Sequence, residues 1–232
     1  DLTYKKGNLQ VSTGIIDMLT YKKSEELWNK RYIHKSMQDE FRFGTSADLG
    51  IMAMYNFSEI LELDVAYVNG KGYNQLQTDN TFKFCTGATL VYFKPFIVRL
   101  YTDIMYKSVN QNTTSLLVGF DKPRIKTGAE IVVRQNDSYR DKYHKYGTSA
   151  FFTINIYRNV NVFGRYDYVW SEYIEKLESP WNLRNDGSAV IGGIEYIVNK
   201  NVRFSLNYQD WYPYAKNIEN QSFIFCNLMV KI

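Results

Sequence analysis

Apolar and polar side chains alternate with a period of two along most of the chain. In Leu61-Glu62-Leu63-Asp64-Val65-Ala66-Tyr67, the residues Leu61, Leu63, Val65 and Tyr67 share one face, and Glu62, Asp64 and Ala66 share the other. A helix would spread Glu62 and Asp64 around its axis, whereas a strand keeps them on one side. The run from Ile97 to Ile104 sets Val98, Leu100, Thr102 and Ile104 against Arg99, Tyr101 and Asp103. Thr127, Ala129, Ile131 and Val133 alternate with Lys126, Gly128, Glu130, Val132 and Arg134. Phe204, Leu206 and Tyr208 alternate with Arg203, Ser205, Asn207 and Gln209. The pattern predicts about twelve strands, at residues 8–19, 44–57, 60–71, 83–94, 97–108, 114–122, 126–137, 148–158, 161–170, 187–199, 202–214 and 222–232. Each is near the length of about 9–11 residues that a tilted strand needs to cross a bilayer.

The connections add a direction. Every second one is tight: Ser58-Glu59, Pro95-Phe96, Pro123-Arg124-Ile125, Asn159-Val160 and Lys200-Asn201. The others, at residues 20–43, 72–82, 109–113, 138–147, 171–186 and 215–221, are longer and more polar. Short turns at one end and long loops at the other suit an outer-membrane barrel with its turns in the periplasm. Twelve strands would then put both termini on the turn side. On the apolar face Tyr55, Tyr92 and Tyr196 fall near the turns, and Tyr67, Tyr106, Tyr168, Trp170 and Tyr208 near the loops. Leu, Ile, Val and Ala lie between. Two aromatic girdles around an apolar band match the two membrane interfaces. The expected fold is all-β: one transmembrane antiparallel up-and-down barrel over residues 1–232, closed because a spanning sheet must leave no edge in lipid.

Composition narrows the class. The 232 residues are 45% apolar and 16% aromatic, with 20 Tyr, which excludes a disordered chain. No run of 18 uncharged apolar residues offers a transmembrane helix, and a strand-built membrane protein escapes that test. No signal peptide opens the sequence, which leaves Asp1 as a mature N-terminus or the start of a truncated chain. A net charge of +4, evenly spread, argues against a nucleic-acid partner. Cys85 and Cys226 form neither a disulfide framework nor a metal spacing. No cofactor or metal is expected. His144 and Ser149 are the nearest approach to a base and a nucleophile, and no nucleophile elbow, HExxH or phosphate loop accompanies them, so no enzyme is expected.

Charge on the polar face points to a wet interior, because an unpaired charge in a dry one is costly. The candidate pore-lining residues are Glu62, Asp64, Lys83, Arg99, Asp103, Lys126, Glu130, Arg134, Arg165, Asp167, Glu195 and Arg203. They line an open channel, or they pair across the lumen and plug it. The first long loop is the second candidate. Ser24, with Glu26 and Leu27 following, resembles a helix start, and Trp28 and Tyr32 at spacing four would share a helix face. With its own apolar anchors, such a loop is expected to fold onto something. Trp28, Arg31 and Tyr32 would form a constriction in the mouth; a rim loop shielding the barrel edge is the alternative.

The loop also carries a resemblance. Trp28-Asn29-Lys30-Arg31-Tyr32-Ile33-His34-Lys35-Ser36-Met37-Gln38-Asp39-Glu40 fits W-x-x-R-Y-I-x-K-S-x-x-D-E, and Ser46-Ala47-Asp48-Leu49-Gly50 follows. With Asn69-Gly70-Lys71-Gly72-Tyr73, these stretches resemble outer-membrane porins of Bacteroidota similar to the phosphate-selective group. The likeness is specific over about a quarter of the chain. It implies passive diffusion of small hydrophilic or anionic solutes through a barrel surrounded by lipopolysaccharide and phospholipid in a Gram-negative outer membrane. A second copy or other outer-membrane proteins would be its neighbours. Family members usually carry additional strands before this loop and end in an aromatic residue, where this chain has Ile232. The alternatives are a closed structural subunit of a larger outer-membrane complex and a soluble all-β binding module.

Overall fold

A computed structural model describes residues 1–91, 95–175 and 177–231. Thirteen strands form one sheet in strict sequence order. They are β1 (Leu2–Lys6), β2 (Leu9–Asp17), β3 (Ala47–Asn56), β4 (Leu61–Val68), β5 (Lys83–Leu90), β6 (Phe96–Tyr106), β7 (Asn110–Lys122), β8 (Ile125–Gln135), β9 (Lys145–Tyr157), β10 (Val160–Ser171), β11 (Gly187–Asn199), β12 (Val202–Pro213) and β13 (Gln221–Val230). Two short helices, α1 (Lys22–Trp28) and α2 (Met37–Glu40), lie between β2 and β3. Neighbouring strands pair antiparallel throughout, as the alternation predicts. Among the described residues no helix is long and apolar enough to cross a membrane.

β1 has no counterpart among the twelve expected strands. Gly7, at a φ of +56°, turns the chain back after Lys6, and Leu2 to Lys6 pair with Thr13 to Leu9. Five mostly polar residues gave no alternation long enough to recognise. The extra strand reverses one expectation: β1 starts toward the loop side while β13 ends at the turn side, so the termini do not share one end. It also leaves β1 and β13 running in the same direction. Antiparallel pairing between them is therefore excluded, and each has a single strand partner.

The turns are made by local chemistry. Asn199 Oδ1 accepts from the amides of Asn201 and Val202 at 2.8 and 3.0 Å, which closes the β11–β12 hairpin. Pro123 supplies the fixed φ that starts the β7–β8 turn. Of the six loops on the other side, one is shorter than expected. Only residues 107–109 separate β6 from β7, and Asn110 to Thr113 extend the strand. Gln111 and Thr113 are buried on the concave side, where polar side chains belong, so their polarity marked interior rather than loop.

Directly opposed residues share a face, so the register fixes which side each residue takes. The convex face carries Leu63, Val65, Leu100, Leu116, Val118, Ile131, Phe152, Ile194 and Leu206, all exposed. The ionisable residues Lys6, Asp17, Lys122 and Asp210 take that face only at strand ends, and Tyr208 Oη donates to Asp210 at 2.6 Å. Tyr55 and Tyr196 ring the turn end; Tyr67, Tyr106, Tyr168, Trp170 and Tyr208 ring the loop end, with Tyr67 stacked on Phe82 at 5.1 Å. Tyr92, expected in the turn-side ring, and Ile232 lie outside the described residues. All charged strand middles face the concave side.

Leu116 stands at the centre of β7 on the convex face. Leu116→Arg is expected to cost about 2–4 kcal/mol in a bilayer. Reversible urea unfolding in phospholipid vesicles checks this. A change within about 0.5 kcal/mol would match an exposed site in water instead.

Candidate functional site

Residues 18–46 do not stand out from the rim; they turn into the concave side. Helix α1 has no side-chain cap and ends after seven residues at Asn29, whose φ of 50° is left-handed. A helix this short is not stable alone, so its packing holds it. Leu27 and Trp28 insert among Leu117, Phe151, Phe163 and Ile191, inward residues of β7, β9, β10 and β11. The Trp28 ring meets Phe151 and Phe163 edge-on at 5.9 Å each, and its Nε1 donates to the His34 carbonyl at 3.0 Å. The wall makes room with glycine. A Cβ on Gly119 would collide with Leu27, and one on Gly147 would stand 2.8 Å from Met37 Sδ. Trp28 and Tyr32 do not share a helix face, because the helix has already ended; Trp28 enters the apolar floor and Tyr32 reaches a carboxylate.

That carboxylate is Glu195 on β11. Tyr32 Oη donates to it at 2.8 Å, Asn161 Nδ2 at 2.7 Å, and Lys30 Nζ lies 3.3 Å away. Gln38 Nε2 donates to Glu130 at 2.9 Å. Arg165 forks onto Asp167 and also donates to the Lys35 carbonyl. Arg99 holds both Asp64 oxygens, at 2.6 and 3.1 Å, and donates to the Leu19 carbonyl at 3.1 Å. Gln209 on β12 donates to the Ile33 carbonyl at 3.3 Å. One segment thus touches the sheet from β6 to β12, so the sheet curls around it. Within the segment Arg31 pairs with Glu25 and, at 2.8 Å, with Asp39, which gives the W-x-x-R…D spacing a physical reason: it ties the loop to itself.

All twelve candidate residues point to the concave side. Asp64, Lys83, Arg99, Asp103, Glu130, Arg165, Asp167 and Glu195 are buried, with Tyr101 Oη donating to Asp103 at 3.0 Å. Glu62, Lys126, Arg134 and Arg203 are only half-buried; Glu62 pairs with Lys23 at 3.2 Å and Lys126 with Asp121 at 2.8 Å. A lone buried charge costs several kcal/mol, and the Asp64–Arg99, Arg165–Asp167 and Glu195–Lys30 pairs offset that cost; Lys83 has no such pair among the described residues. Ser149 donates to Asp167 at 2.6 Å, while His144 Nδ1 accepts from the Asn136 amide, so the two form no nucleophile–base pair.

Above the folded segment, on the loop side, a cavity of about 1260 Å³ opens. His34, Glu40, Phe41 and Arg42 belong to its floor. Six cationic side chains line it (Arg42, Lys71, Lys83, Arg134, Lys145 and Arg184) against the inward carboxylates Glu40 and Asp137. Asp137 engages Arg134 at 3.0 Å and Lys145 at 3.4 Å. A second cavity, of about 170 Å³, lies beside α1 near Leu19, Glu62 and Arg99. Among the described residues no group of three or more His, Cys, Asp or Glu is placed to hold a metal ion. Lys145 falls outside the expected strand 148–158, because β9 starts three residues earlier; the alternation continued back from Ser149 reaches it. Arg42, Lys30 and Gln38 lie in the loop, where no period marks which side chains turn inward.

The wider likeness can be stated on this geometry. No family model and no curated protein sequence matches the chain. A porin whose structure was refined at 1.8 Å resolution is similar in fold. The superposition has a TM-score of 0.57 and covers 95% of this chain and 76% of that one, at 9% sequence identity. That likeness is one of fold: a porin-type antiparallel sheet.

Two outcomes test the docking of the segment. Trp28→Ala is expected to remove about 3–5 kcal/mol of packing and to raise tryptic cleavage at Lys30 and Arg31 by about tenfold or more. The second concerns pH. Burial, and then the Arg165 guanidinium beside it, push the His34 imidazole below its ordinary 6.5. The unfolded segment therefore binds the proton first, and docking weakens as pH falls below about 6.5. Cleavage is expected to rise between pH 7.5 and 5.5, and His34→Gln to flatten that rise.

Proposed function

We propose that the protein is an outer-membrane channel of porin type in a Gram-negative bacterium, passing small hydrophilic solutes by diffusion with a preference for anions. The single observation that carries this is the inverted sheet: apolar outside, charged inside, with a cationic cavity open above an inward-folded segment. A cavity lined by an excess of one sign of charge concentrates the opposite sign, and a constriction built on a rigid wall sets what passes. Trp28, Arg31 and Tyr32 act by holding the constriction in place rather than by touching solute. Asp64, Arg99, Glu130, Arg165, Asp167 and Glu195 pin the segment or its wall, and Lys83, Arg134 and Lys145 are the wall groups that face the solute path. The surroundings are lipopolysaccharide and phospholipid. Membership of the Bacteroidota porins related to the phosphate-selective group fits the loop sequence and its internal Arg31–Asp39 tie. No catalytic step is assigned.

A second reading is a plugged barrel that serves as a subunit of a larger outer-membrane complex. The burial of eight of the twelve inward charges, and the ion pairing of five of them (Asp64, Arg99, Arg165, Asp167 and Glu195), favour it. Planar bilayers separate the two. The channel reading expects stepwise conductance, a larger unit step for Trp28→Ala, and a shift toward cations for Arg134→Glu. Arg99→Glu is a poor probe, since it sets a second carboxylate against Asp64. Absence of any steps, in wild type and in Trp28→Ala alike, would contradict the channel and leave the plugged subunit.

A further inference from the structure

The large cavity has two unlike walls. Four of its six cationic groups come from β5, β8 and β9, as Lys83, Arg134 and Lys145, and from the segment, as Arg42; Lys71 and Arg184 stand on loops. On β12 and β13 the lining carries three rings, Trp211, Phe223 and Phe225, beside the amides Gln209 and Gln221. The register puts Gln209 opposite Phe223 and Asn207 opposite Phe225, so both rings belong to the inward face and descend it from Trp211. The other inward rings, Tyr101, Phe151 and Phe163, are buried, whereas Phe223 is 52% exposed.

The two walls meet at Phe41 and Arg42. The Phe41 ring packs on Trp211 at 5.1 Å, and the Phe41 and Arg42 carbonyls accept from Lys145 Nζ at 3.3 and 3.1 Å. One dipeptide therefore fixes an aromatic surface beside a cationic one. Asp137 accounts for Arg134 and Lys145. Arg42, Lys83 and Arg184 have no ion pair among the described residues. Lys83 is 3% exposed and borders the cavity, so a buried ammonium without a carboxylate faces that space. Inorganic anions would use only the cationic half, and neutral rings only the other.

We infer that the cavity is a binding site for an organic anion carrying a flat unsaturated ring, with Arg42 and Lys83 taking the anionic group and Trp211, Phe223 and Phe225 taking the ring. The inference deepens the channel reading, since it names the class of solute that would dwell at the mouth. The contacts are of known strength: a guanidinium and a carboxylate form a charge-assisted pair, and a planar ring on Trp gains from stacking.

The test is titration calorimetry on the full chain in detergent, with phenylacetate, acetate and benzyl alcohol as probes. Phenylacetate is expected to bind about tenfold or more tighter than acetate, and benzyl alcohol to show no saturable heat. Trp211→Leu should bring phenylacetate to within about threefold of acetate. Arg42→Gln and Lys83→Gln should weaken both acids. Folding of each variant is read from heat-modifiable gel migration; if Trp211→Leu does not fold, Phe223→Leu at the exposed edge takes its place with the same expectation. Equal affinity for the two acids, an undiminished preference in the folded aromatic variant, or unchanged phenylacetate affinity in the two cation variants would overturn the proposal. Conductance is measured separately. Steps without a phenylacetate preference sink this inference alone, whereas a phenylacetate preference without steps supports it and sinks the channel reading.

Discussion

An ionised side chain cannot face hydrocarbon without a penalty of about 2–4 kcal/mol at mid-bilayer, and the rest of this structure follows from that constraint. The period-two pleat gives each strand two faces, and one of them must be fully uncharged over the middle of the strand. Leu63, Val65, Leu100, Leu116 and Ile131 meet the demand on the convex side. Every mid-strand charge is then forced inward, onto a surface with more carboxylates and cations than two neighbouring strands can pair. The inward-folded segment resolves that excess. It brings Lys30, Tyr32 and Gln38 to Glu195 and Glu130, and it offers the carbonyls of Leu19 and Lys35 to Arg99 and Arg165.

The same segment could not dock on charge alone. Paired surface charges contribute little where water reaches them, so water has to be excluded first. Trp28 and Leu27 do this by filling the apolar floor left by Phe151, Phe163 and Leu117. The order of dependence runs from the glycines that open space at positions 119 and 147, to the rings that occupy it, to the ion pairs that the rings shield. The cavity above is what remains when a single segment fills only part of a wide lumen, and its cationic character reflects the groups that the segment leaves uncompensated.

Much of this was legible in the sequence, and the reasons differ by element. Strands buried on one face and exposed on the other leave an alternation that needs no partner to be seen, which is why twelve of the thirteen strands and both aromatic girdles could be read. β1 could not, because its outward face offers only Leu2 and Tyr4 before Lys6 interrupts it. The inward direction of the twelve charged residues was legible for the same reason, but their burial was not. Burial depends on a segment more than a hundred residues away from Glu195, and spacing along one strand carries no trace of it. The helix expected to run from Ser24 through Tyr32 stops at Trp28, because tertiary packing of Trp28 and the hydrogen bond of Tyr32 override the local i, i+4 preference. The aromatic wall was hidden for another reason: on β13 both faces are apolar, with Ile224 and Leu228 outward and Phe223 and Phe225 inward, so no alternation shows.

The most direct test of the inverted sheet is a spin-label scan of residues 114 to 119 on β7 in lipid vesicles. Single cysteines are placed in a background with Cys85 and Cys226 replaced, and collision rates are measured with oxygen and with a water-soluble nickel chelate. The account predicts high oxygen and low nickel collision at 114, 116 and 118, and low collision with both reagents at 115 and 117, which the folded segment covers. Nickel reaching 114, 116 and 118 while oxygen does not, or no period of two at all, would contradict it.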